Sequence, residues 1–303
     1  MAASSPGGTN PGGRSDGLQA QDAQVHAWPG TSPPDARHLP GPEPTTAPRH
    51  RWHRARSGAI ANMRSDWEQR ALANALYYVD ATREEWTDEE FYARGRELVE
   101  LVVDPAIAHL GIEPSGMRVL DIGCGAGRLA EGLAARFGEV WGLDISERML
   151  GEARRRCPVK ARWVLGDGTS LAGIPDGSVD YAISYEVLQH VPHRSIAFSY
   201  VREVGRVLRP GGGFQIHLRS GSDSLRQQAV RSLPGPLRRF AGSVLEAAGV
   251  VRIGGDIDTW LGCTISPESA IAEACGAGLD AESLSDPMHN EGMGYWLVGR
   301  KRT

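Results

Sequence analysis

Apolar residues follow two different periods along this chain, and the change between them marks its organisation. The run DWEQRALANALYYV, residues 66–79, brings Trp67, Ala71, Leu72, Ala75 and Val79 to one face at helical spacing. A second helical pattern starts at Thr87, with Glu90 three residues on in capping-box spacing. Leu98, Leu101, Val102, Ile107 and Leu110 continue it as a stripe that Pro105 breaks or kinks. Beyond this helical preface, short apolar runs alternate with amphipathic ones. The pattern predicts strands over 118–123, 139–146, 161–168, 179–188 and 212–220, and helices over 127–137, 146–157 and 195–208. Pro210, Gly211 and Gly212 stop the last of these helices. The alternation lapses between 220 and 262, where one or two helices are expected over the edge or mouth of a sheet. It resumes with a helix over 266–278 and strands over 280–286 and 294–302.

Strands this apolar, separated by helices, are buried on both faces. The order therefore predicts an α/β fold, doubly wound, with a mostly parallel sheet, a helical N-terminal preface and a helical insert before the sixth strand. The folded part is expected over 63–303: a helical cap at 63–116, a core at 117–219, the insert at 220–262, and C-terminal helix and strands at 263–303. Residues 1–58 break the pattern. They hold nine of the chain's 19 prolines and almost no aliphatic side chains. Such a segment cannot bury enough apolar surface to offset its chain entropy, so a disordered tail is expected. Met63 stands so close to where the pattern begins that it is a candidate start of the native chain. The basic cluster HRWHRAR, residues 50–56, reads as part of the solvated tail.

Charge and cysteine content narrow the function classes. A net charge of −4 argues against a dedicated nucleic-acid binder. No apolar run is long enough to span a membrane and no secretory h-region is visible. The cysteines at 124, 157, 263 and 275 form no C-x-x-C pair, which points to four reduced thiols, no metal site and a cytoplasmic location.

The chemistry centres on VLDIGCGAGRLAEGL, residues 119–133. A strand runs into three glycines, Gly123, Gly125 and Gly127, and then into a helix. Glycines permit a tight turn and close approach, and the helix start offers free N–H groups. The spacing G-x-G-x-G departs from the dinucleotide pattern, since position 128 is Arg. Asp144 ends the second strand, about 20 residues on, where an acid binds ribose hydroxyls. Asp167 ends the third strand, and Asp180 opens the fourth in a structural role.

With VLDIGCGAG, GLDIS, GDGTSLAGIPDGSVDYAISYEVLQHV and EVGRVLRPGGGFQIH in this order, the chain resembles the class I S-adenosylmethionine-dependent methyltransferases. The resemblance is dense over 117–217 and loose beyond. It implies a seven-stranded Rossmann-like sheet whose last strand is antiparallel, and S-adenosyl-L-methionine as cofactor. By the same resemblance, Gly123, Gly125 and Gly127 would pass under the methionine part, with Asp121 orienting the loop or meeting the amino group. Asp144 would take the ribose hydroxyls, Ile145 and Met149 would flank the adenine, and Asp167 and Gly168 would meet the adenine edge. Ser184 would lie near the methionine.

Methyl transfer to a hydroxyl needs a base for the departing proton. In SYEVLQHVPH, Glu186 and His190 stand four apart and share a face on a helical turn. His190 is the first candidate base; His193 and His217 are lesser ones. Tyr77, Tyr78, Trp86 and Phe91 of the preface, and Arg238, Arg239 and Trp260 of the insert, are candidate walls for the ligands. The Asn/Asp-Pro-Pro-Tyr/Phe motif of amino methyltransferases acting on nucleic-acid bases is absent here. The expected acceptor is a hydroxyl of a small molecule, lipid or glycan. A non-catalytic module that binds the cofactor stays open, as does, less favoured, a nicotinamide oxidoreductase.

Overall fold

The computed structural model describes residues 49–221, 232–247, 262–286, 288 and 294–303, with 49–57 as backbone alone. Seven strands form one sheet: β1 Arg118–Ile122, β2 Glu139–Asp144, β3 Arg162–Leu165, β4 Val179–Ser184, β5 Leu208–Leu218, β6 Leu279–Ser285 and β7 Tyr295–Lys301. Their order is β3-β2-β1-β4-β5-β7-β6. Neighbours from β3 through β5 pair in parallel, and β7 runs antiparallel between β5 and β6. The expected doubly wound sheet with an antiparallel last strand is therefore the one observed.

β1 is the strand from which both halves grow. Val119 pairs with Val140 of β2 on one side and Tyr181 of β4 on the other. A strand flanked on both sides and covered on both faces favours apolar residues, which explains Val119, Leu120 and Ile122, with Asp121 at its carboxyl end as the exception; Val119 and Leu120 are fully buried. The chain order reverses between β1 and β4, and that switch point opens a crevice at the carboxyl ends of the strands. Asp180 fastens the other end. Its carboxylate accepts from the Arg118 backbone N–H (2.6 Å) and pairs with Arg209.

Helices α2 Asp88–Leu98 and α3 Asp104–His109 realise the second preface segment. Both halves of the Thr87–Glu90 capping box are present. Pro105 stands at the start of α3, and a π turn at Val99–Val103 precedes it. Proline has no N–H to donate back into the helix, and the wider turn absorbs the loss. The expected helix over 127–137 shrinks to α4 Ala130–Ala134, because the glycine turn consumes the residues before it. α5 Glu147–Arg156 is capped by the Ser146 hydroxyl, which accepts from the Met149 N–H. α6 Arg194–Val207, α7 Gly235–Ala247 and α8 Pro267–Gly276 complete the set.

α1 departs from expectation. It runs over Arg49–Val79, so residues 49–58, assigned by composition to the tail, are helical. It is broken at Asn74, whose backbone is extended (φ −169°, ψ 89°). The Asn74 side chain accepts from the Tyr77 N–H (3.1 Å) and donates to the Glu84 carbonyl (3.1 Å), so it ends one helical segment and starts the next. Met63 occupies a packed position inside α1. Arg64 donates to the Gly166 carbonyl (2.9 Å), which lays this helix against the end of β3. The tail up to 48 and Trp260 lie outside the described residues, as do the side chains of Arg238 and Arg239. Among the described residues, no helix is long and apolar enough to cross a membrane.

Trp296 of β7 is fully buried, and its ring stacks on Tyr185 at 5.5 Å. Trp296→Ala is expected to cost about 3–5 kcal/mol of stability, read as a lowered urea midpoint. A loss under about 1 kcal/mol would contradict this packing.

Candidate active site

The carboxyl ends of β1, β2 and β4 open on a cavity of about 570 Å³. Its lining combines the turn after β1, the ends of β2 and β4, and α1. Gly123, Gly125 and Gly127 all adopt left-handed backbone (φ +79°, +53° and +80°), the region that favours glycine. The N–H groups of Gly123 and Cys124 both donate to the Leu143 carbonyl (2.7 and 3.1 Å), tying the turn to β2. A Cβ at these glycines would lie 2.4 Å from Val187, 2.7 Å from Val79 and 2.8 Å from Trp163 respectively. The close neighbours that exclude side chains are thus the protein's own. Gly123 and Gly125 line the cavity; Gly127 does not.

Two acids face this space. One Asp144 oxygen accepts from the Gly125 N–H (2.9 Å) and the other from the Ser146 N–H (2.8 Å). Burial pushes its pKa up to about 6, against the pull of those N–H groups. Burial pushes Asp121 up to about 7; Arg128 opposes the shift and Asp144 adds to it. Ile145 and Met149 also line the cavity. The glycine turn, two acids and two apolar side chains suit a ligand with a cationic end and a hydroxylated nucleoside end.

Asp167, Gly168 and Ser184 lie outside the lining. Both Asp167 oxygens are engaged in its own turn, accepting from the N–H groups of Thr169 and Ser170 (2.7 Å each) and from both hydroxyls. Partial burial pushes its pKa up, but these bonds outweigh it and hold the carboxyl below its usual range. Gly168 sits behind Ile145, with Ile60 and Met63 of α1 close by. The Ser184 hydroxyl is buried and donates to the Ile122 carbonyl (3.1 Å). The sequence assigned all three to the ligand; in this structure each also has partners within the fold.

Glu186 and His190 also line the cavity. They do not share a helical face. Glu186 is in left-handed backbone (φ 57°), and a 3₁₀ turn follows only at Leu188–His190. A non-glycine residue in that conformation is strained, a feature that concentrates at functional sites. Arg128 lies beside it, 3.6 Å from the Glu186 carboxylate, and donates to Asp80 at 2.8 Å. Burial pushes Asp80 up, but Thr82 and Arg128 hold it below the usual range. The His190 ring stands edge-on to Trp67 at 5.8 Å.

His193 is exposed at the start of α6, and His217 is buried in β5, 3.0 Å from Asp286. Tyr77 and Tyr78 line the cavity, whereas Trp86 and Phe91 pack edge-on against each other. Sequence reading missed Asp80, Trp67 and Tyr185. It noted Arg128 only as a break in glycine spacing, although an arginine inside an apolar turn was itself a signal. Among the described residues, no group of three or more His, Cys, Asp or Glu is placed to hold a metal ion.

Asp121 titrates higher in the folded protein than in an unfolded chain, so the fold binds the extra proton. The contribution of Asp121 to the stability of the ligand-free protein is therefore lost as pH rises from about 4 through 7. Asp121→Asn is expected to raise the ligand-free Tm at pH 8 and to raise it less at pH 5. An equal shift at both values would contradict the assignment.

Residues 119–212 match a family model described as a methyltransferase domain. The chain is 35% identical over 155 residues to trans-aconitate 2-methyltransferase of Methylobacterium nodulans, across 49% of this chain and 58% of the relative. It is 31% identical over 143 residues to ubiquinone biosynthesis O-methyltransferase of Azoarcus sp., across 46% and 59%. The chain thus spans less than two thirds of these relatives. Magnesium protoporphyrin IX methyltransferase from Synechocystis, solved with bound SAH, has the same fold. Its TM-score is 0.51 at 18% identity, over 80% of this chain and 99% of that one. With the sheet order, the glycine turn and the acids at the ends of β1 and β2 already in place, residues 119–212 match a methyltransferase domain, and the fold is the one seen in magnesium protoporphyrin IX methyltransferase.

Proposed function

We propose that this chain binds S-adenosylmethionine in the cavity and transfers its methyl group to a hydroxyl of a small molecule, lipid or glycan. One observation carries the reading: a single cavity brings together the glycine turn, two buried carboxylates and an imidazole. The cofactor supplies an electrophilic methyl sulfonium; the protein supplies binding and orientation.

Asp144 accepts the ribose hydroxyls on the lone pairs its two N–H donors leave. Asp121 meets the cofactor's amino group, and a cation there favours its ionised form. Gly123 and Gly125 give the methionine part a surface without side chains, and Ile145 and Met149 flank the adenine. Gly127, Asp167, Gly168 and Ser184 hold the turns and strand ends from behind. His190 takes the proton of the hydroxyl. Trp67 fixes its ring from one side, and the Leu188–His190 turn sets its place after β4. Glu186 holds Arg128 at the same end. The O-methyltransferase among the relatives supports an oxygen acceptor.

Calorimetry should detect binding of S-adenosylmethionine and none of NAD; the reverse would restore the oxidoreductase alternative. Affinity should be flat well above pH 7 and fall below it, first as Asp121 and then as Asp144 gains a proton. Asp144→Ala should weaken binding by about 1.5–3 kcal/mol per hydrogen bond lost. His190→Ala should abolish release of S-adenosylhomocysteine with the cofactor Kd intact. Undiminished release would reject the base. Cofactor binding without release on any acceptor would favour the non-catalytic module.

A further inference from the structure

We infer that the acceptor is a flat aromatic molecule carrying the hydroxyl on its ring, and that Tyr185 is the wall that selects it. This rests on the methyl-transfer reading and narrows its acceptor.

Aromatic residues make up only 7% of the chain. Even so, Trp67, Tyr77, Tyr78, Tyr185 and Tyr200 line one cavity. Tyr200 is almost wholly buried. Tyr77 and Tyr78 pack edge-on to each other at 5.1 Å, next to the break in α1. Trp67 stands edge-on to His190 at 5.8 Å, and Tyr185 directly follows β4.

Tyr185 is built to stay still. Trp296 stacks on it nearly parallel (5.5 Å, 11°), and the His217 ring leans on it at 5.6 Å. His217 is in turn set against the Asp286 carboxylate at 3.0 Å, and both side chains are buried. Gly294 leaves the space this needs, since a Cβ there would come within 2.6 Å of the His217 ring. Trp296 and His217 are directly opposed in β5 and β7, so the clamp is part of the sheet and not of a loop. Arg128 stands 5.6 Å off the Tyr185 ring. Tyr185 thus offers its edge to the cavity. A ring edge carries partial positive charge and prefers the face of another ring.

The polar groups at this end argue the same way. A glycan is held by several hydrogen-bonding side chains. Here Arg128 donates to Asp80 and lies 3.6 Å from Glu186, Arg70 lies over the Trp67 ring at 4.7 Å, and Gln189 lies against His190 at 3.4 Å. His190, edge-on to Trp67, then receives the ring hydroxyl's proton as the oxygen–methyl bond forms and the carbon–sulfur bond breaks. Atoms balance as methyl ether, S-adenosylhomocysteine and imidazolium.

The test uses the full chain with S-adenosylmethionine and reads S-adenosylhomocysteine release. The probes are catechol and 4-hydroxybenzoate against cyclohexane-1,2-diol, glucose and trans-aconitate. Release with an aromatic probe and not with cyclohexane-1,2-diol is expected. Tyr185→Leu should raise KM for that probe about tenfold or more, with a smaller change in kcat, while Tyr185→Phe keeps both near wild type. His217→Asn, checked for folding by circular dichroism, should raise KM in the same direction. The inference is overturned by release with glucose or trans-aconitate alone, by no release with either aromatic probe, or by a Tyr185→Leu KM equal to wild type. Calorimetry on the same samples separates the failures. Cofactor bound without aromatic turnover rejects the acceptor class alone, and no cofactor binding rejects the methyl-transfer reading with it.

Discussion

A guanidinium taken out of water has to be paired, and the Arg128 guanidinium is almost wholly buried beside an equally buried Asp80. That pair joins parts of the chain that otherwise have no reason to meet. Asp80 follows the end of α1, Arg128 closes the glycine turn, and Glu186 on the loop after β4 completes the cluster. Breaking it would leave a charge stranded in the interior, so cap, turn and loop are held in one arrangement. The cavity exists because these three pieces are fixed around it. The short contact between α2 and the turn has the same origin: a Cβ at Gly95 would sit 1.8 Å from the Arg128 carbonyl oxygen.

Asp121 and Asp144 show the opposite electrostatic situation. Both are buried at the ends of adjacent strands, and burial outweighs the groups that would keep them ionised. A site that holds acids near neutrality is incomplete without a partner. A cation and hydroxyl donors entering the cavity would supply what the fold withholds. The strain at Glu186 and the raised acids lie in the same cavity, as expected where stability is given up for binding.

Much of the sheet was legible because its signals are local and repeated. Apolar runs of four to six residues between helical segments can be satisfied only by strands covered on both faces, and DIGCGAG admits few conformations. The acids at the ends of β1 and β2 could be found by their distance from that turn. What escaped depends on contacts between distant segments. Glu186 and His190 fit a helical turn by spacing, but the left-handed backbone at 186 rotates them apart. The helix at residues 49–58 was hidden by a composition that resembles a tail. Its continuation from Ile60 onwards is held by packing on Gly168 and Gly166, which no periodicity records.

The strand order also bears on how the molecule is assembled. β1 meets β2 after a short connection, but β4 joins it from 62 residues away. β5 reaches its antiparallel neighbour only near the C-terminus. Closing long loops costs chain entropy before any contact repays it, so such pairings form late and slowly. The crevice between β1 and β4 is therefore among the last features to appear as the chain folds. Until then β1 presents a bare apolar edge, and nascent chains carrying it are prone to associate with one another.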